Sequence, residues 1–233
     1  MASSVAVKSL ADIPNLVELY SSLKLRPSPT EGDLVVAPSS AVNARVSLFC
    51  GDITKLRLDA IVNAANKTLM GGGGVDHVIH RAAGHALVDE CRGLGGCPVG
   101  LAKITRGYDL PAANVIHTVG PVYDPTNPWK SEGSLRSCYK ESLSLATKNE
   151  LKTIAFPAIS TGAYRFPSKD AARVACETVR RYLDNDYGLS RVVFVTYERK
   201  EVEAYNEMIP YFPSTLLRAT GRCLASSADH DRE

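Results

Sequence analysis

The chain has 233 residues, 45% hydrophobic and 22% charged, with Lys plus Arg exceeding Asp plus Glu by 27 − 25 = 2. This composition suits one α/β domain of about 150–200 residues with flanking extensions. It excludes a broad cationic field for bulk nucleic-acid binding, no apolar run approaches the ~20 residues that span a bilayer, and the first residues lack the charged and apolar regions of a secretory signal.

In chain order, residues 1–44 read as an N-terminal extension and linker. Ile13 to Leu25 carries Leu16, Leu19, Tyr20 and Leu23 at helical spacing, Pro27 and Pro29 stop that helix, and Ser28 to Ser40 reads as linker. From Val46 short apolar runs begin. Val46 to Phe49, Ala60 to Val62, Lys103 to Thr105, Val115 to Val119, Thr153 to Phe156 and Val192 to Thr196 are the expected strands. Helices are expected over Val78 to Ala83, Ala86 to Cys91, Leu135 to Lys148, Lys169 to Leu183 and Glu201 to Met208. In the third of these, Leu135, Tyr139, Leu143 and Ala146 share one face. Ser168 is the expected N-cap of the fourth.

Strands alternating with helices define an α/β fold with a mostly parallel sheet covered on both faces. A polar, frayed tail is expected over 214–233. Six cysteines are spread without a CxxC pair, which suits free thiols in the cytosol or nucleus.

The stretch Ile61 to His80 carries the most chemistry. Gly71 to Gly74 stand between an expected strand and an expected helix, where glycine admits positive φ and close approach of a ligand to the backbone. A helix N-terminus there offers free N–H groups to a phosphate. Taken alone, four glycines equally make a flexible connection. Asp76 is either an N-cap or a carboxylate that holds a water beside a bound anion. Asp76 and His80 lie four apart on one helix face.

A second loop, Phe156 to Pro167, offers Ser160, Thr161 and Gly162 after another expected strand. Two phosphate-friendly loops at the carboxyl ends of parallel strands point to a diphosphate. No GxxxxGK[ST] loop and no GxSxG elbow is present. The spacing of His85, Cys91 and Cys97 fits no usual zinc set, so these read as core cysteines and no metal is expected.

Several segments together resemble a macrodomain of the MacroD type. They are Gly51-Asp52-Ile53-Thr54, Asp59 to Asn66, Gly71 to Asp76, Ile79 to Gly84, Ala102 to Thr105, Val115 to Pro121, Leu135 to Tyr139 and Ile159 to Gly162. The signature of that type, an Asn followed after six residues by Gly-Gly-aliphatic-Asp, is met by Asn66 and Gly73-Gly74-Val75-Asp76. The resemblance spans about residues 45–213. It implies a three-layer α/β/α domain that binds ADP-ribose, cleaves the ester joining mono-ADP-ribose to acidic protein side chains, and deacetylates O-acetyl-ADP-ribose.

By position, the resemblance gives Asp52 to the adenine amino group, Ile53 to the wall of that pocket and Tyr197 to the face of the ring. Gly73, Gly74 and Val75 would meet the distal ribose and phosphates through their amides. Ser160, Thr161, Gly162, Ala163 and Tyr164 would form the second diphosphate loop. Asn66 would orient the distal ribose, and Asp76 would position or deprotonate the attacking water, unless a substrate phosphate takes the proton. No cofactor is implied, because N–H dipoles meet the diphosphate.

The partners implied are ADP-ribose, mono-ADP-ribosylated proteins and O-acetyl-ADP-ribose. A monomer is expected, with neither membrane nor nucleic-acid binding beyond ADP-ribosylated ends. One departure stands out. The type's second loop reads Gly-(Val/Ile)-(Tyr/Phe)-Gly, and here it is Gly162-Ala163-Tyr164-Arg165. If that position requires positive φ, Arg165 bears a strain of about 1 kcal/mol, or its guanidinium extends over the ligand. A non-catalytic ADP-ribose reader is the second reading, with the altered loop slowing turnover.

Overall fold

The computed structural model describes residues 6–22, 24, 39–185 and 187–208. The strands are β1 (Val46–Cys50), β2 (Ala60–Ala65), β3 (Ala102–Arg106), β4 (Asn114–Val119), β5 (Thr153–Phe156) and β6 (Arg191–Thr196). They form one sheet in the order β1-β6-β5-β2-β4-β3. All neighbours run parallel except the β3–β4 pair at one edge. The helices are α1 (Leu16–Ser21), α2 (Ser40–Asn43), α3 (Val75–Ala83), α4 (His85–Leu94), α5 (Pro128–Lys148), α6 (Ser168–Asp184) and α7 (Arg199–Met208). No described helix is long and apolar enough to cross a membrane.

The two-residue period of the strands sorts their side chains into two cores. Ala60, Val62, Ile116, Ile154, Phe156, Val192 and Phe194 pack with α5, α6 and α7 on the first face. Ile61, Ala65, Val115, Val119, Ala155, Val193 and Val195 pack with α3 and α4 on the second. The result is three layers, α/β/α, as the alternating pattern implied. Leu135, Tyr139, Leu143 and Ala146 are all fully buried, as their spacing on α5 required.

Some element boundaries change. Strand β2 runs through Asn63 to Ala65, because the Asn63 side chain finds buried partners and need not end the strand. Helix α5 starts seven residues before Leu135. Asn127 accepts from the Lys130 amide and Pro128 occupies the first turn, so a cap outweighs the polar residues that follow. Ser168 is the first helical residue and not the cap: Pro167 flanks it and no side chain caps the turn.

At the N-terminus, the described part of the extension carries the expected helix, α1, and docks on the domain. Ile13, Leu16 and Tyr20 are buried in the two cores, and Lys8 exchanges backbone hydrogen bonds with Lys55 and Arg57. These apolar side chains cover β1 and the turn after it, which solvent would otherwise wet. The helix predicted to Leu25 ends at Ser21. The expected domain end at 213, the tail at 214–233 and most of the expected linker lie outside the described residues.

The sheet order sets up the cleft. Strands β2 and β5 are parallel neighbours, yet β2 leads into α3 on the second face and β5 into α6 on the first. Their loops therefore part above the sheet, leaving a crevice at the carboxyl ends of the strands.

Candidate active site

The loop after β2 enters α3 through Gly74, whose φ of +60° and ψ of −135° suit glycine and little else. A Cβ at Gly73 or Gly74 would meet nothing within 4 Å, so both glycines border open space. The N–H groups of residues 71–77 donate to no group among the described residues. Those of Val75, Asp76 and His77 are the unpaired first turn of α3. Across the crevice, the N–H groups of residues 160–164 are likewise unpaired among the described residues. Two runs of free donors at neighbouring strand ends make an anion cradle, reinforced by the dipole of α3.

Asp76 is the second residue of α3, so the N-cap reading falls: Gly74 holds that place. Its side chain is 3% exposed. Oδ1 accepts from Asn63 Nδ2 at 2.8 Å and lies 3.3 Å from His80 Nε2, the pairing that their spacing suggested. Oδ2 has no described hydrogen-bond partner and sits beside Gly72, where a Cβ would come within 2.9 Å of it and 3.0 Å of Asn66 Nδ2. Asn66 and Asp76 thus converge on one glycine.

Asn66 is nonetheless busy. Its Nδ2 donates to Gly71 O at 2.7 Å, and its Oδ1 accepts from the Thr68 amide and hydroxyl. These bonds tie the glycine loop down.

The second loop differs from its hydroxyl-donor reading. Thr161 Oγ1 faces Ala158 O and Glu201 Oε1, both at 3.0 Å. Ser160 Oγ is buried without a partner beneath Gly120, where a Cβ would come within 2.1 Å of it. Both hydroxyls point inward, and the backbone of Gly162, Ala163 and Tyr164 is left to face a ligand. The Tyr164 carbonyl accepts from Tyr123 N, fastening this loop to the one after β4. Arg165 adopts φ +56°, so this position does require the left-handed region. Its exposed guanidinium has no partner among the described residues.

At the far end of the crevice, β1 and β6 bring Asp52 and Tyr197 to the same rim, with Gly51 N donating to Thr196 O. Asp52 Oδ1 caps a 3-10 turn through the Thr54 amide and hydroxyl. Ile53 is buried in the second core, while the Tyr197 side chain is exposed. Glu201 Oε2 accepts from the backbone amides of Tyr197 and Glu198 while Oε1 meets Thr161, so one carboxylate on α7 joins the two ends.

Beneath the glycine loop lies a polar pocket that the sequence reading did not assemble. Asn63, His117 and Thr105 form a chain: Asn63 Nδ2 lies 3.1 Å from His117 Nδ1, and His117 Nε2 lies 2.9 Å from Thr105 Oγ1. Burial holds the His117 pKa down at about 4 and pushes the Cys91 thiol up to about 11. His80, Cys91 and His117 bring ligand atoms within 4.8 Å of one another, a grouping unlike the rejected His85, Cys91 and Cys97. The signal was available, since a polar residue inside a buried apolar strand needs a partner.

These features define an α/β domain with two runs of unpaired N–H groups at neighbouring strand ends and a buried carboxylate beside one of them. A family model described as "Macro domain" matches residues 62–175. A Macro domain-containing protein of Methanosarcina mazei is 53% identical over 165 residues, 71% of this chain and 88% of that protein. ADP-ribose glycohydrolase MACROD2 of Xenopus laevis is 46% identical over 207 residues, 88% of this chain and 49% of that protein. This chain therefore spans about half the length of that second relative. The crystal structure of a Trypanosoma brucei macrodomain in complex with ADP-ribose superposes with a TM-score of 0.73 at 36% identity, covering 88% of this chain and 78% of that one. The chain belongs to the macro domain family.

Proposed function

We propose that this protein binds ADP-ribose and hydrolyses the ester between mono-ADP-ribose and an acidic protein side chain, with O-acetyl-ADP-ribose as a second substrate. The observation that carries this reading is the pairing of two unpaired N–H runs with one carboxylate. The runs at 71–77 and 160–164 follow the neighbouring parallel strands β2 and β5, and Asp76 Oδ2 stands free beside Gly72. The relatives named ADP-ribose glycohydrolases and the family member holding ADP-ribose support the same reading.

In this reading adenine lies toward Asp52, Ile53 and Tyr197. The diphosphate spans the two loops through Gly73, Gly74 and Val75 on one side and residues 160–164 on the other. Preorganised N–H dipoles meet that charge without rearranging. The distal ribose then reaches Asn66 and Asp76, where Asn66 exchanges its bond to Gly71 O for a ribose hydroxyl. A water held by Asp76 Oδ2 loses its proton to the carboxylate and attacks the anomeric carbon. The ester C–O bond breaks, and the acidic side chain departs with the electron pair. A monomer in the cytosol or nucleus belongs to the same proposal and rests on composition.

The test is a protein auto-modified on glutamate with labelled mono-ADP-ribose, incubated with this enzyme beside a titration of free ADP-ribose. Loss of label with release of ADP-ribose is the expected result. Retained label at stoichiometric enzyme, with ADP-ribose still bound, makes the chain a reader.

A further inference from the structure

His117 lies in the middle of β4, fully buried, beneath the glycine loop and out of reach of any ligand in the crevice. Asp76 Oδ1, a carboxylate oxygen 2.8 Å from the Asn63 side chain, demands an N–H there, which fixes the Asn63 amide with its nitrogen toward Asp76. That same nitrogen lies 3.1 Å from His117 Nδ1, so its second hydrogen meets Nδ1 and Nδ1 must be unprotonated. The ring proton then sits on Nε2, 2.9 Å from Thr105 Oγ1. Thr105 Oγ1 in turn faces Val115 O at 3.5 Å.

We infer that His117 and Thr105 are positioning residues for Asp76: by fixing the ring proton on Nε2 they hold the Asn63 amide in one orientation and leave Asp76 Oδ2 as the free oxygen beside the crevice. The inference rests on the hydrolase reading. Other polar groups line the pocket, namely Asp76 and His80 from α3 and Cys91 from α4, with the His80 ring 6.1 Å from that of His117. With its pKa held at about 4 by burial, His117 is neutral wherever the Asp76 carboxylate is to act as a base, so the proton does not shuttle.

The geometry decides against a cation held by His80, Cys91 and His117. A cation on His117 Nε2 would force the proton to Nδ1, against the Asn63 N–H groups. Turning that amide round would set its oxygen against Asp76 Oδ1.

The test has two parts. Imidazole nitrogen spectra of the ¹⁵N-histidine protein are expected to show His117 with a protonated Nε2 and a bare Nδ1 that does not titrate between pH 5 and 8. Thr105→Val keeps the volume and removes the oxygen acceptor, leaving His117 Nε2 only the weak acceptor Cys91 Sγ at 3.7 Å. Its kcat on Glu-linked substrate is expected to fall about 10–100-fold while KM and ADP-ribose affinity change little, and Thr105→Ser is expected to restore it. His117→Phe is expected to show the same split, its folding checked by melting temperature.

A proton on Nδ1, zinc bound stoichiometrically by the wild-type protein, or undiminished kcat in folded Thr105→Val overturns the inference. A wild-type protein that binds ADP-ribose yet removes no label contradicts the hydrolase reading itself. The two failures are therefore told apart by whether the wild-type enzyme turns over.

Discussion

The two faces of the sheet are built for different tasks. Under α5 and α6, the core is aliphatic and aromatic, with Leu135, Tyr139, Leu143, Phe156 and Val179 fully buried. Its polar atoms lie between helices, as where the Thr178 hydroxyl bonds to Val174 O on its own helix and accepts from Arg136 Nη1 on α5. On the second face the sheet carries Asn63, Thr105 and His117, and α3 adds Asp76 and His80 above them, all buried below the glycine loop. Asn63 Oδ1 has no hydrogen-bond partner there, at a cost of about 1–3 kcal/mol, and the His80 ring has only the 3.3 Å approach of Nε2 to Asp76 Oδ1. One face is therefore mostly apolar packing, and the other gathers polar side chains around one carboxylate.

Four changes would break or sharpen that contrast. The largest effect belongs to Asp76→Ala, which is expected to lower hydrolysis by about 10²–10⁴-fold and leave ADP-ribose affinity within a few-fold. Equal losses in single-turnover kinetics and calorimetry would reduce Asp76 to a structural role. On the apolar face, Leu143→Ala is expected to cost about 2–5 kcal/mol in urea unfolding, with kcat per folded molecule unchanged. A matching loss of kcat would show that the faces are not separable.

The third effect is pH-dependent. Burial lowers the folded pKa of His117 to about 4 from 6.5. Above pH 6.5 the ring is neutral in both states and its burial costs nothing in protonation. As pH falls below 6.5 the unfolded chain takes up a proton that the folded ring refuses. Stability then drops by up to about 3 kcal/mol by pH ~4, below which the loss levels off. Urea unfolding of wild type and His117→Phe from pH 7 to 4.5 is expected to show this slope in the wild type alone.

The smallest effect is at the rim. Arg165→Gly is expected to relieve the strain of φ +56° by about 1 kcal/mol, partly offset by a freer unfolded chain, and to weaken ADP-ribose about threefold. Unchanged calorimetric binding would make Arg165 irrelevant to the ligand.

Much of this was legible in the residues. Helix positions followed from apolar periodicity, and strand positions from continuous apolar runs, because both faces of the sheet are covered and turn signals bound each run. The two loops, Gly71 to Gly74 and Ser160 to Tyr164, stood out by composition and by place. Side-chain direction was not legible. Nothing local says that the Ser160 and Thr161 hydroxyls turn inward, since that depends on Gly120 and Glu201, about 40 residues away along the chain in each direction. The Asn63, Thr105 and His117 chain was hidden for the same reason. Its members come from three strands, and only their register brings them together. The packing of Ile13 and Leu16 was missed because a short apolar segment beside prolines looks the same whether it is docked or free.

The central claim is that the two loops close on one diphosphate. Backbone amide spectra recorded while ADP-ribose is added test it directly. The account requires the N–H resonances of residues 71–77 and 160–164 to move together, with one shared dissociation constant. Movement in one loop alone, or two separate dissociation constants, would contradict it.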